Sequence, residues 1–163
     1  MVLMMMFLKK NRSDALRKNL TISTAESCTG GYLAHLITSI SGSSAYYHGS
    51  IVAYDNCIKE NILHVKRDIL NTYGAVSEQT VSEMLDGAID TFNTDISIAT
   101  SGIAGPTGGT QDKPVGTVVI GIANKQEKWI KKFVFTNNRE INIQLSSTVA
   151  LFMLKKFVEK KYQ

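Results

Sequence analysis

The stretch that most limits how this chain can fold is TSGIAGPTGGTQDKPVGTV, residues 100–118. Residues 95–100 ahead of it read as a buried strand. Gly102, Gly105, Gly108 and Gly109, with Pro106 and Pro114, then demand a shaped loop rather than a free linker. A loop leaving a buried strand is where open α/β sheets usually hold a ligand. Thr100, Ser101, Thr107 and Thr110 bring hydroxyls, and the glycines bring N–H groups suited to a phosphate or ribose. The stretch fits neither the P-loop nor the dinucleotide pattern. Its plainer reading is a tight loop that closes the domain.

The rest of the chain alternates between the two periodicities. Residues 11–18 suggest a short helix and 21–25 a strand. Residues 30–40 carry Leu33, Leu36, Ile37 and Ile40 at helical spacing, and SGSS breaks the run. Residues 46–54, YYHGSIVAY, read as a strand, and Asp55 as the cap of a short helix to Leu63. Ser77 is the expected cap of a helix whose stripe is Val81, Met84, Leu85, Ala88, Ile89 and Phe92. Strands at 115–123 and 129–135 form a hairpin across NKQE. A long helix over 138–158 follows, with Ile141, Leu145, Val149, Phe152 and Phe157 expected on one side. This order implies an α/β fold: a mixed β-sheet covered by helices, layered α/β/α, in a single compact domain over residues 1–163.

Size and composition agree with one globular domain. There are 163 residues, 44% hydrophobic and 20% charged. The formal net charge of +4 sits partly in the tail LKKFVEKKYQ. This reads as a solvated helix end, since a nucleic-acid surface would want denser cations with interleaved aromatics. Cys28 and Cys57 form neither a disulfide framework nor a zinc spacing, and free thiols suit a reducing cytoplasm. The three histidines make no ligand pair, and His35 reads as a packed or surface imidazole. The opening run MVLMMMFLKK is too short and wrongly flanked for a secretory signal, so residues 1–10 read as a frayed or packed terminus. No stretch has the length of a membrane span.

The chemistry concentrates in two further stretches. TAESCTGGYL puts Ser27, Cys28 and Thr29 at a strand-to-helix corner, with Gly30 and Gly31 allowing close approach to the backbone. Free N–H groups there could hold a phosphate or an oxyanion, or Ser27 or Thr29 could only cap the helix. A serine needs a base, and the histidines offer none. GSIVAYDNCIKENIL brings Tyr54 and Lys59, and a buried lysine can act as a base when its pKa falls. On spacing alone a surface lysine is the default reading.

These three stretches, with YGAVSEQTVSEM and in this order, resemble the signatures of the CinA C-terminal domain family and its stand-alone amidohydrolase form. The match covers most of residues 21–122. The resemblance implies hydrolysis of the carboxamide of nicotinamide mononucleotide to nicotinic acid mononucleotide and ammonia, in pyridine nucleotide recycling. Ser27 matches the nucleophile of an A-E-S-x-T-G-G motif, Lys59 the general base and Tyr54 its activating partner. Cys28 falls at the motif's variable position. Thr29, Gly30 and Gly31 would stabilise the oxyanion. Thr100, Ser101, Gly102, Gly108 and Gly109 would form the substrate-side loop. Arg139, in NNRE, would take the nucleotide phosphate, although its flanks depart most from the family. The scheme calls for no metal and no cofactor.

Full-length CinA proteins carry a large N-terminal domain for which this chain has no room, so the stand-alone form is expected. A cytoplasmic homo-oligomer without a membrane partner goes with it. Two other readings stay open: a nucleotide-binding module with an unactivated Ser27, and an interaction protein connected with competence or DNA damage. Beyond its weak positive charge, nothing in the chain supports DNA contact.

Overall fold

The computed structural model describes Ser13, Ala15 and residues 18–162. The expected terminus over 1–10 lies outside that set, as does all but Ser13, Ala15 and Lys18 of the expected helix over 11–18. The strands are β1 (Ile22–Glu26), β2 (Tyr47–Val52), β3 (Ile96–Gly102), β4 (Thr117–Ala123) and β5 (Lys128–Val134). The helices are α1 (Tyr32–Thr38), α2 (Asn56–Asn61), α3 (Arg67–Tyr73), α4 (Glu78–Phe92) and α5 (Arg139–Lys161), with a 3-10 turn at Ser43–Ala45.

Among the described residues the strands form one sheet in the order β2-β1-β3-β4-β5. β1 is parallel to β2 and β3; β4 is antiparallel to β3 and β5. The sheet is mixed, with helices on both faces, as the alternation of patterns implies. The turn of the β4–β5 hairpin is tied by Asn124, whose Oδ1 accepts from the N–H groups of Gln126 and Glu127 at 2.9 and 2.8 Å.

The two faces pack differently. Ile22, Ile96, Ile98, Val118, Ile120 and Ile122 join the core under α1 and α5. On the other face Ala25, Ala99, Val119 and Ala123 meet Val81, Met84, Leu85, Ala88 and Ile89 of α4. Small residues there let α4 settle close to the strands. At Gly121 a Cβ would lie 2.7 Å from Leu85 Cδ1 and 2.8 Å from Val81 Cγ1, closer than packed carbons tolerate. Each large side chain buried in this layer contributes roughly 1.5–3 kcal/mol.

Asp55 and Ser77 cap their helices as expected, and Asn138 caps the last helix. The Asp55 side chain accepts from Cys57 N at 2.7 Å, Ser77 Oγ from Thr80 N at 3.1 Å, and Asn138 Oδ1 from Ile141 N at 3.0 Å. One helix was not anticipated, and one expectation needs correction. The periodicity shows no helix at Arg67–Tyr73, yet α3 forms there: it is one short element with Leu70 alone buried and no side-chain cap. On α5, Ile141, Leu145 and Phe152 face outward, while Asn142, Ser146, Ser147, Ala150, Leu151 and Leu154 face inward. The inward serines bond to their own helix, Ser146 Oγ to Asn142 O at 2.6 Å and Ser147 Oγ to Ile143 O at 3.0 Å. Their small, satisfied side chains seat the helix where a stripe of large residues would not.

The topology places the site. The chain leaves β1 through α1 to reach β2 on one side, then passes through α2, α3 and α4 to β3 on the other. α1 belongs to one face and α4 to the opposite face. The C-terminal end of β1 is therefore the switch point of the sheet, where a crevice opens.

Candidate active site

A hollow of about 350 Å³ opens at that switch point. Ser27 and Cys28 line it from the end of β1, and Tyr54, Asn56 and Lys59 from the β2–α2 segment. Residues 101–105 with Thr107 and Gly108 line it from the loop after β3, and Arg139 from the start of α5. The first three of these segments, far apart in sequence, meet here because β1 lies between β2 and β3. Ser27 N donates to Thr100 O at 2.9 Å, which carries the β1–β3 pairing into the pocket wall.

Ser27 is 8% exposed and Lys59 only 1%. Burial lowers the Lys59 pKa from its ordinary value; Asp55, Cys28 and Cys57 work against that shift. The Lys59 Nζ donates to Ala53 O at 2.8 Å and Tyr54 O at 3.4 Å, and no bond to Ser27 accompanies them. Two of the nitrogen's positions are thus spoken for. The remaining one is an N–H in the ammonium and a lone pair in the neutral amine. Beside Ser27, burial pushes the Cys28 thiol up to about 12. A thiol held protonated this firmly is a poor nucleophile.

The corner itself departs from expectation. Gly30 and Gly31 take left-handed φ values of 59° and 95°, which glycine adopts without strain. Their N–H groups are nevertheless occupied: Gly30 N donates to Ser27 O at 3.1 Å and Gly31 N to Glu26 Oε2 at 3.0 Å. The Glu26 carboxylate, fully buried, also accepts from Leu33 N at 3.1 Å, Ala34 N at 2.8 Å and Thr29 Oγ1 at 2.7 Å. An acid from the protein itself therefore fills the helix start that could have held a substrate anion. Thr29 and Thr100 are buried and share a 2.8 Å hydroxyl contact, and neither lines the hollow.

The loop divides likewise. Ser101, Gly102 and Gly108 line the hollow, with Ser101 Oγ donating to Ala75 O at 2.7 Å. Gly109 lies behind, where a Cβ would come within 2.7 Å of Val115 N. Arg139 spans the mouth: Nη1 donates to Gly105 O at 2.9 Å and Nη2 to Tyr54 Oη at 2.8 Å. Tyr54 is 59% exposed. Glu26 and Asn142 escaped the sequence reading. Asn142 Nδ2 donates to Ala104 O and Thr136 O, each at 2.9 Å, and Oδ1 accepts from Thr136 N and Oγ1, each at 3.0 Å. A polar residue inside a helical apolar pattern was the only signal for it. Among the described residues no group of three His, Cys, Asp or Glu could hold a metal ion, and no helix is long and apolar enough to cross a membrane.

Comparison with known proteins is consistent along the chain. The description of the CinA C-terminal domain matches residues 7–158. A CinA-like protein from Cytophaga hutchinsonii is 49% identical over 140 residues, and one from Salinibacter ruber 45% over 139. These alignments cover 86% and 85% of this chain but 34% of each relative, so the chain spans about a third of the curated relatives it matches. The crystal structure of the competence/damage inducible protein CihA from Agrobacterium tumefaciens is similar at 35% identity and TM-score 0.87, covering 91% of this chain and 93% of that one. A CinA superfamily protein from Klebsiella pneumoniae gives 29% and 0.92, covering 96% and 98%.

Proposed function

The chain belongs to the CinA C-terminal domain family, and from that membership and the pocket we propose that it hydrolyses the carboxamide of nicotinamide mononucleotide to nicotinic acid mononucleotide and ammonia. One observation carries the reading: Ser27 and the buried Lys59, 32 positions apart in sequence, line the same hollow. Neutral Lys59 takes the Ser27 proton, and Oγ bonds to the amide carbon. The tetrahedral intermediate collapses, the C–N bond breaks, and ammonia leaves with the proton Lys59 returns. Water then cleaves the acyl-enzyme along the same path.

The geometry supports two details of this reading. The N–H groups of Gly30 and Gly31 are committed elsewhere, so donors of the loop lining the same hollow are assigned to the oxyanion. Arg139 takes the phosphate by exchanging its contact with Tyr54 Oη for phosphate oxygens. A homo-oligomer in the cytoplasm is the assembly and compartment that accompany this proposal.

The test is ammonia release from nicotinamide mononucleotide. Turnover should rise with pH as Lys59 loses its proton, through a value below that of an ordinary lysine. Lys59→Met should remove both the turnover and that limb. A second reading, a nucleotide-binding module without catalysis, draws on the Lys59 bonds to Ala53 and Tyr54 rather than Ser27. It is adopted if the mononucleotide binds and no ammonia appears at any pH.

A further inference from the structure

We infer that Glu26 is the positioning residue of the Ser27 corner: its carboxylate clamps the turn from β1 to α1 and so holds the Ser27 hydroxyl at the pocket. The inference rests on Ser27 being the reactive group of the reading above. Glu26 is not a pocket residue and touches no reacting atom there.

The clamp has an uncommon construction. Glu26 precedes Ser27 directly and points into the layer beneath α1. Oε2 accepts from Thr29 Oγ1, Gly31 N and Leu33 N at 2.7, 3.0 and 3.1 Å. Oε1 accepts from Ala34 N at 2.8 Å and, at longer range, from Ser50 Oγ at 3.3 Å and Thr24 Oγ1 at 3.5 Å. One side chain thereby gathers the first turn of α1, the turn at Thr29 and strand β2 around the backbone of its own neighbour. Gly31, the residue before α1, offers no side-chain cap, so Glu26 does from the interior what a cap does from outside.

The burial is what makes this more than a cap. A carboxylate with no exposure is costly to place unless its oxygens are satisfied, and here both are saturated by donors. Such a network has one good arrangement and resists small displacements. Displacements matter at this point, because a nucleophile misplaced by an ångström loses much of its rate. The left-handed backbone at Gly30 and Gly31 makes the sharp turn possible, and Glu26 selects it.

The experiment uses the full chain and two readouts. One is steady-state hydrolysis of nicotinamide mononucleotide. The other is the rate at which a fluorophosphonate modifies Ser27, followed by intact mass and independent of any nucleotide. Glu26→Gln keeps the shape and removes one strong acceptor. It should lower kcat by ~10–100-fold with KM within about twofold, and slow Ser27 modification at least tenfold. Glu26→Asp, one methylene short, should not rescue either.

Thr29→Val, which removes a single donor, guards against a misfolded Glu26 variant. It should slow modification by ~3–10-fold, again with KM held. A folded Glu26→Gln or Thr29→Val protein that melts lower yet keeps wild-type kcat and modification rate would make the clamp merely structural and overturn the inference. Ser27 modified at a rate that Glu26 controls, in a protein that releases no ammonia, would sink the substrate and leave the clamp standing. A wild-type Ser27 that the reagent never modifies would overturn both.

Discussion

The two walls of the hollow are made on different plans. On the Ser27 wall the side chains are buried: Ser27, Lys59 and the Glu26 beneath them are all below a tenth exposed, and protein donors and acceptors hold Glu26 and Lys59. On the Arg139 wall, Tyr54 is mostly in solvent, and the guanidinium makes two bonds that a ligand oxygen could replace. The buried wall is preorganised: its groups cannot relax with water, so their placement is set before a ligand arrives. The open wall can give up its contacts at small cost. In the proposed reading, chemistry belongs to the first and capture of an anionic end to the second.

Removing the chemistry should have the largest effect. Ser27→Ala and Lys59→Met are each expected to lower kcat for ammonia release by at least ~10³-fold, about 4 kcal/mol, with binding measured by calorimetry preserved. Residual turnover above a tenth of wild type in either variant would break the division of labour. Next comes the anchor of the loop. Asn142→Ala leaves the buried Ala104 carbonyl and the Thr136 N–H without their partner. It should cost about 3 kcal/mol in urea unfolding.

The Cys28 thiol, also on the buried wall, sharpens the picture through pH. Its folded pKa is raised by burial from 9.0 to about 12. The folded protein keeps a proton that the unfolded chain releases above pH 9. The stabilisation is complete below pH 9 and is lost as pH climbs toward 12. Between pH 9 and 11 wild type should lose about 2–3 kcal/mol more than Cys28→Ala, the slope and not the absolute value being the measurement.

Smaller effects belong to the open wall. Arg139→Ala should raise KM for the mononucleotide ~10–30-fold with kcat within about threefold, and Arg139→Lys should recover only part of it. Tyr54→Phe, which deletes the hydroxyl held by Arg139, should change kcat/KM by less than about threefold, since an exposed contact is exchanged with water. A large fall in kcat there would move Tyr54 to the chemical side.

Much of the architecture was legible because it rests on local rules. The caps at Asp55 and Ser77, the stripe of α4 and the hairpin around NKQE each need only near neighbours. α3 was not legible, since seven residues with one buried leucine give no period to read. The face of α5 misled for a physical reason. Ile141, Leu145 and Phe152 are apolar but lie on the exposed side, while Ser146 and Ser147 satisfy themselves and can be buried. In the corner motif the residue types pointed to a strand-to-helix turn, but not to which anion its N–H groups would serve.

The order of strands and helices, the caps and the three chemical stretches are properties of the chain as written, because each depends on residues within a few positions of one another. Which stretches face one hollow, which side of α5 is covered, and that Glu26 occupies the start of α1 were decided only by tertiary structure. Burial and hydrogen-bond satisfaction depend on what the fold brings alongside a side chain, and Leu33, Ser50 and Thr29 become partners of one carboxylate only after β1, β2 and α1 have closed around it.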